Sequence, residues 1–114
     1  MSVNKVILVG NVGQDPRVRI VQTRTVAEFS LATTDRAYRN AQGVEMPERT
    51  EWHNIVMWDR LAETAERYVR KGTKLFIEGK LRTRVWEDRN AIKRNITEIV
   101  VDNFDILSRP DPAK

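Results

Sequence analysis

The sequence contains no cysteine, and its only histidine is His53. Disulfide bonds and thiolate metal sites are therefore excluded, and a zinc ion would need carboxylates for nearly all of its ligands, which is uncommon. We therefore expect that the protein carries neither a metal ion nor another cofactor.

Long apolar runs are missing as well. The N-terminal segment has only four consecutive apolar residues, at positions 6–9, before Gly10. Such a run is too short for the apolar region of a signal peptide or for a membrane span. The sequence therefore predicts a cytoplasmic or nucleoid-associated protein that makes no membrane contact.

No recognisable catalytic pattern is present in the sequence. Gly10 and Gly13 lack the third glycine and the Lys-Ser/Thr pair of a phosphate-binding loop. Glu87 and Asp88 stand in a charged turn without a plausible catalytic partner, and His53 is most simply a packing or interface residue. We expect a binding protein and not an enzyme.

The positive charge of the chain is unevenly distributed. Residues 67–94 contain ten Lys and Arg against three Asp and Glu, a local net charge of +7, whereas the other positions sum to −3. A sequence pI of about 9.8 fits an anionic partner, but by itself it is only weak evidence for nucleic-acid binding. The basic segment is therefore the more informative feature.

Hydrophobic periodicity predicts an all-β domain with one helix. Asp59 is a candidate N-cap for a helix over residues 60–71, with Gly72 as its stop. Residues 22–25 read as a polar loop, residues 35–50 as a hydrophilic hairpin arm, and 109–114 as a disordered stub after a domain at 1–108. Alternating or apolar runs predict five strands, at residues 6–9, 26–34, 51–58, 73–86 and 93–107. This order, with the helix between strands three and four, is that of the five-stranded oligonucleotide/oligosaccharide-binding (OB) Greek-key barrel.

The fourth predicted strand has one basic, aromatic face. Side chains alternate along a strand, and Gly79 is a candidate bulge that would still leave Arg82, Arg84 and Trp86 together. A surface that combines rings and cations suits a single-stranded nucleic acid, because bases stack on rings while phosphates meet positive charge. The opposite, apolar face holds Leu75, Ile77, Leu81 and Val85, and the basic face holds Lys74, Phe76, Lys80, Arg82, Arg84 and Trp86.

A core position is the alternative for each tryptophan, since a lone Trp in a strand is more often core than binding platform. That alternative is weakest for Trp86, whose neighbours on the same face are arginines. For Trp52 and Trp58, a core position and a binding position are almost equally supported. These two residues share a strand face and lie about 20 Å apart at the usual strand rise. Tyr38 lies in the polar arm without large apolar neighbours.

Seven sequence blocks resemble the bacterial single-stranded-DNA-binding protein family. They follow one another in order within residues 3–107, so the resemblance covers almost the whole chain. The resemblance implies an OB-fold homotetramer that binds and protects single-stranded DNA without sequence preference during replication, recombination and repair in the bacterial cytoplasm and nucleoid. The blocks are NKVILVGN (4–11), GQDP (13–16), LAT (31–33), TEWH (50–53), LAE (61–63), RKG (70–72) and IEGKLRTR (77–84).

The resemblance also implies roles for particular residues. The stacking aromatics of the family fall on Trp52, Trp58, Trp86 and Tyr38, and position 58 is often Phe in relatives. The subunit-interface histidine falls on His53. From the charge pattern we expect phosphate contacts from Arg82, Arg84, Lys80, Lys74, Lys5 and Arg94.

The sequence departs from the family pattern in two places. The turn after Trp86 lacks the usual glycine, and Asn95 stands where an aromatic residue is common. The sequence also lacks the acidic C-terminal tip with which the family recruits replication and repair enzymes, so either the sequence is truncated or the protein has lost that recruitment, and these partners stay open. An OB-fold primosomal adaptor and an RNA-binding chaperone remain alternatives, because stacking and phosphate contacts do not distinguish RNA from DNA.

Overall fold

The computed structural model describes residues 1–110. Within this range the chain forms eight strands and one helix. They are β1 (Val6–Val12), β2 (Arg17–Val21), β3 (Arg24–Asp35), β4 (Tyr38–Arg39), β5 (Glu45–Met46), β6 (Arg49–Trp58), α1 (Arg60–Tyr68), β7 (Lys74–Glu87) and β8 (Lys93–Ser108).

Six strands form one sheet that closes on itself. Their order is β1-β7-β8-β6-β3-β2, and the end of β1 also pairs with β3, where Val12 lies opposite Leu31. The strand pairs are antiparallel except β6 with β8, where Ile55 lies opposite Ile99. The five predicted strands and the helix between the third and fourth of them are present, in the arrangement of the OB barrel.

The core fills the inside of this barrel mostly with the odd-numbered residues of four strands, β3, β6, β7 and β8. The period-2 pattern predicted the inward direction of Ala27, Phe29 and Leu31 on β3, and these side chains are buried. Helix α1 closes one end of the barrel. The buried cluster also includes Ile55, Met57, Ala62, Ala65, Val69, Leu75, Ile77, Ile99 and Val101.

Strand β2 was not predicted from the sequence. Residues 17–21 pair with β3, with Val18 opposite Ala27 and packed against the core. The segment is only five residues long and follows Pro16, so its own pattern is weak and the pairing with β3 stabilises it. The expected loop at 22–25 is reduced to a turn at Gln22 and Thr23, both with positive φ, and β3 begins at Arg24.

Helix α1 begins where the sequence predicted but ends earlier. Its last residue is Tyr68, and Val69 is already extended with φ −93° and ψ 130°. Tyr68 is 53% exposed, because the buried stripe of the helix runs through Ala62 and Ala65.

Strand β7 continues beyond the barrel. Past Gly79, β7 no longer pairs with β1, and residues 82–87 form a two-stranded ribbon with residues 93–98 of β8, beyond the two β8 residues that pair with β6. A register shift is present between Glu78 and Gly79, but the extra residue is Asp102 of β8 and not Gly79, so the alternation on β7 continues unchanged. Leu81 and Val85 share the apolar face of β7 with Leu75 and Ile77, but they lie past Gly79, where β1 no longer covers the strand edge, and are 50% and 62% exposed.

The C-terminal boundary of the domain stays a prediction. Strand β8 ends at Ser108, and Pro110 is half-buried near Gly72. The predicted disordered stub at 109–114 lies largely outside the described residues, because the structure describes the chain only as far as residue 110.

Candidate nucleic-acid interface

A groove crosses the outer face of β2, β3, β6 and the β7–β8 ribbon. Strand pairing brings the residues of this groove side by side: Glu28 of β3 lies between Arg17 of β2 and Val56 of β6. Glu28 lines each of three adjoining depressions that together form the groove. Its lining residues are Gln14, Arg17, Arg19, Val21, Val26, Glu28, Phe29, Ser30, Asn54, Ile55, Val56, Trp58, Arg82, Arg84, Trp86, Ile96 and Glu98.

Trp58 lines one end of the groove. It is the last residue of β6 and lies opposite Val26 of β3, with its side chain half-buried. The guanidinium carbon of Arg24 lies 4.5 Å from the centroid of its ring, a cation–π contact. The indole is therefore neither a core residue nor a freely rotating surface group.

Trp86 lies on the ribbon and is 43% exposed. It lines the same depression as Arg17, Arg19 and Arg84. The aromatic ring therefore has cations around it. The alternation on β7 had predicted one of them, Arg84. Because a ring exposed in this way can accept a stacked base, the position suits a nucleic-acid contact.

Trp52 borders the groove near its Ser30 end and is 61% exposed. Its ring lies against Gly13: a Cβ built on Gly13 would lie 2.5 Å from Cζ3 of Trp52 and 2.8 Å from Oγ of Ser30. A side chain at position 13 would therefore force the indole and the Ser30 hydroxyl to move from these positions. All three tryptophans therefore border one surface.

Tyr38 is the exception among the predicted stacking residues. It lies on β4, opposite Met46 of β5, in the short hairpin of the polar arm, and is 59% exposed. A separate depression on the arm contains it together with Arg39 and Pro47. The structure does not bring Tyr38 into the groove.

Two arginines share one buried carboxylate in the groove. Arg82 Nη2 and Arg84 Nε donate to the same oxygen, Glu98 Oε1, at 2.9 and 3.0 Å. The Glu98 side chain is 2% exposed, whereas the two arginine side chains remain 44% and 43% exposed. A buried carboxylate needs such partners, and the same bonds hold both guanidinia at the groove surface.

Sequence reasoning missed the basic residues of β2. Arg17 and Arg19 line the groove on the side facing the ribbon, and Arg19 forms an ion pair with Glu28 at 2.9 Å. The alternation of Arg17, Val18, Arg19 and Ile20 was a signal for a half-buried strand that could have found them. Glu98 was missed as well, because its role depends on the pairing of β8 with β7.

The remaining predicted phosphate contacts lie outside the groove lining. Lys74 is at the start of β7, eight residues before Arg82, and Lys80 lies opposite Val100. Lys5 pairs with Glu78 at 3.0 Å, and this contact lowers the pKa of the Glu78 carboxyl below its ordinary value. The structure therefore gathers only Arg82 and Arg84 from the predicted set.

Arg94 has a structural contact in the turn between β7 and β8. Its Nε donates to Asp88 Oδ2 at 2.9 Å, and the backbone N–H groups of Asn90 and Ile92 donate to Asp88 Oδ1. These bonds, the one from Ile92 first, lower the pKa of Asp88 below its ordinary value. Asp88 thus builds the turn that lacks the family's glycine, and Ala91 takes the left-handed conformation with φ 61°.

His53 lies on β6 opposite Leu31 and is half-buried. Its Nε2 lies 2.8 Å from Thr33 Oγ1 on the neighbouring strand. Among residues 1–110 there is no group of three or more acidic or histidine side chains that could hold a metal ion. In the same part of the chain, no helix is long and apolar enough to cross a membrane.

Fold and groove together define an OB barrel whose open face combines indole rings with arginines. Residues 3–107 match the sequence model of the Single-strand binding protein family, and the chain belongs to this family. This membership confirms the resemblance seen in the sequence and the expectation of a binding protein rather than an enzyme.

Two relatives extend the comparison. The chain is 62% identical over 109 residues to a single-stranded DNA-binding protein of Bacteroides thetaiotaomicron, covering 95% of this chain and 68% of the relative. Its structure is similar to that of the Plasmodium falciparum SSB in complex with ssDNA, with a TM-score of 0.84 and 33% identity. That match covers 95% of this chain and 97% of the other and confirms the OB fold.

Proposed function

We propose that the protein binds single-stranded DNA without sequence preference and protects it during replication, recombination and repair. The observation that carries this proposal is one groove that holds Trp58, Trp86 and four arginines, with Trp52 bordering its Ser30 end. Every base has a π-face, so stacking on these indoles tolerates any sequence. Family membership and the ssDNA-bound relative support the same activity.

The phosphates follow the arginines of the groove. Glu98 holds Arg82 and Arg84 in place before DNA arrives, which reduces the side-chain entropy lost on binding. Each guanidinium has five N–H donors, so the bonds to Glu98 leave donors for a phosphate. Arg17 and Arg19 flank the path on the β2 side.

Contacts outside the groove extend the path of a longer strand. We assign this secondary role to Lys5, Lys74, Lys80 and Arg94, and a stacking role at the hairpin arm to Tyr38. Their exposure leaves the lysine ammonium groups and the phenol ring accessible to DNA. Because Lys5 and Arg94 are already paired with carboxylates, we expect them to contribute less than Arg82 and Arg84.

Self-association into a homotetramer in the bacterial cytoplasm and nucleoid is part of the proposal. Residues 6–10 of β1 pair with β7 on one side, and within residues 1–110 the other edge meets β3 only from Asn11 onward. On this strand Ile7 and Val9 are 59% and 48% exposed. An apolar strand with an open edge favours pairing with a second copy. We place His53 in or near a subunit contact.

The test is a titration with dT and rU oligomers of several lengths, followed by tryptophan fluorescence, together with sedimentation of the free protein. We expect strong quenching by dT, because bases stack on the indoles, and a tetramer at micromolar concentration. Unchanged emission would refute stacking. A preference for rU would favour an RNA chaperone, and a monomer would contradict the proposed assembly. His53 replaced by a charged residue should dissociate the tetramer.

A further inference from the structure

One face of the Trp58 ring is covered by the protein itself. The Arg24 guanidinium lies 4.5 Å from the ring centroid. Trp58 lines the groove together with Arg19 and Val56, whereas Arg24 is not one of the lining residues. The guanidinium therefore occupies one face of the indole, and the opposite face is the one left for a ligand.

Asp59 holds Arg24 in this position. Arg24 Nε and Nη2 donate to the two carboxylate oxygens of Asp59 at 3.1 and 2.7 Å, a bidentate pair. Asp59 was predicted to cap α1, but in the described part of the chain its side chain makes no capping hydrogen bond. Asp59 is thus the N-cap residue by position, as predicted, but its carboxylate is directed to Arg24, 35 residues earlier in the chain.

The backbone of Asp59 is in an unfavourable conformation. Its φ of 57° and ψ of −121° lie in a region that a residue with a Cβ rarely adopts. The backbone N–H donates to Thr25 O at 2.8 Å, which fixes the residue beside β3. Asp59 thus occupies a backbone conformation that suits glycine. Its ion pair with Arg24 adds little stability in return, because both side chains are 55% exposed.

We propose that Arg24 and Asp59 are positioning residues that hold Trp58 as a one-sided stacking platform at the end of the groove. The base stacks on the groove side of the ring while the guanidinium covers the other side. This inference rests on the proposed binding of single-stranded DNA. The guanidinium on one face of the ring strengthens the stacking of a base on the other face. Because the ring is already fixed, it also loses less rotamer freedom when the base binds.

The binding test is a double-mutant cycle with a dT oligomer. Arg24→Ala should weaken binding about two- to fivefold in the presence of Trp58 and have almost no effect in the Trp58→Ala background. Arg60→Ala removes the same charge from α1, outside the groove, and should leave binding unchanged. If Arg24→Ala weakens binding equally in both backgrounds and flattens the salt dependence by about 0.7, Arg24 contacts phosphate directly and the proposal is overturned.

A second measurement needs no DNA. In a variant whose only tryptophan is Trp58, Arg24→Ala should increase the quenching of Trp58 emission by acrylamide, because both ring faces become accessible. Asp59→Gly should do the same while leaving thermal stability unchanged or higher, since glycine tolerates the backbone conformation. Unchanged acrylamide quenching in both variants would overturn the proposal. Failure of the wild-type protein to bind dT, with increased quenching in both variants, would refute the proposed function alone.

Discussion

Arg84 donates a hydrogen bond from Nε to Oε1 of Glu98 at 3.0 Å, and this carboxylate is almost completely buried. Arg82, two residues earlier on the same face of β7, donates to the same oxygen from Nη2. One acid on β8 thus holds two cations of β7 at the surface of the groove. The Trp86 ring lies on the same face of β7, so base stacking and phosphate contacts can be separated by substitution on a single strand.

The salt dependence of DNA binding should distinguish the two kinds of contact. Arg84→Ala removes about one phosphate contact, so the plot of log K against log salt should become shallower by about 0.7 for every sequence. Trp86→Ala should lower the affinity at all salt concentrations with nearly the same slope, because stacking releases no counterion. Equal flattening in both variants, or in neither, would contradict this division.

Gly13 controls the position of the Trp52 ring. Gly13→Ala places a methyl group 2.5 Å from Cζ3 of Trp52, so the ring must move. We expect a loss of about 1–3 kcal/mol in dT binding, the value of one stacked base. In a Trp52→Leu background the same change should cost much less, because the ring that meets the methyl group is gone. An equal loss in both backgrounds would show that Gly13 acts independently of Trp52.

The turn between β7 and β8 should be stabilised by a glycine. Ala91 has φ 61°, a conformation that a Cβ disfavours by about 1 kcal/mol. Ala91→Gly should therefore raise the melting temperature by about 4 °C. Asn90→Gly, one residue earlier, is the matched control and should give no increase, since Asn90 does not have positive φ. A lower melting temperature for Ala91→Gly would contradict the conformation described for this turn.

Acid should loosen the same turn. The pKa of Asp88 lies below its ordinary value of 3.8, because the N–H of Ile92, the Arg94 guanidinium and the N–H of Asn90 favour the carboxylate. A lowered pKa means that the contribution to stability is complete above the ordinary value and is lost as pH falls through the folded-state pKa. Thermal melts of the wild type and Asp88→Asn should differ at neutral pH and converge in strong acid. A difference that persists in strong acid would exclude Asp88 ionisation as its cause.

Local sequence patterns predicted which way side chains point but not where the barrel ends. The alternation on β6 separated Trp52 and Trp58 from the buried Ile55 and Met57. The same alternation on β7 placed Val85 on the apolar face with Leu75 and Ile77, although that residue is exposed on a ribbon beyond the barrel. Periodicity reports the face of a strand, whereas burial also requires a second layer opposite it.

The candidate site was predicted where it depends on one strand and missed where it depends on pairing. Arg82, Arg84 and Trp86 alternate on β7, so their common face could be read directly from the sequence. Glu98 reaches these arginines only because β8 pairs with β7, and Arg17 reaches the groove only because β2 pairs with β3. Cross-strand partners of this kind are fixed by register, which the local pattern does not contain.

The most direct test of the account uses three proteins that each keep one tryptophan and carry phenylalanine at the other two positions. Each is titrated with a dT oligomer at low salt, and the emission of the remaining indole is recorded. If Trp52, Trp58 and Trp86 all lie on one DNA-binding groove, each emission should be strongly quenched at the same protein-to-DNA ratio. An indole whose emission stays constant while the protein binds DNA would contradict the groove as the site of base stacking.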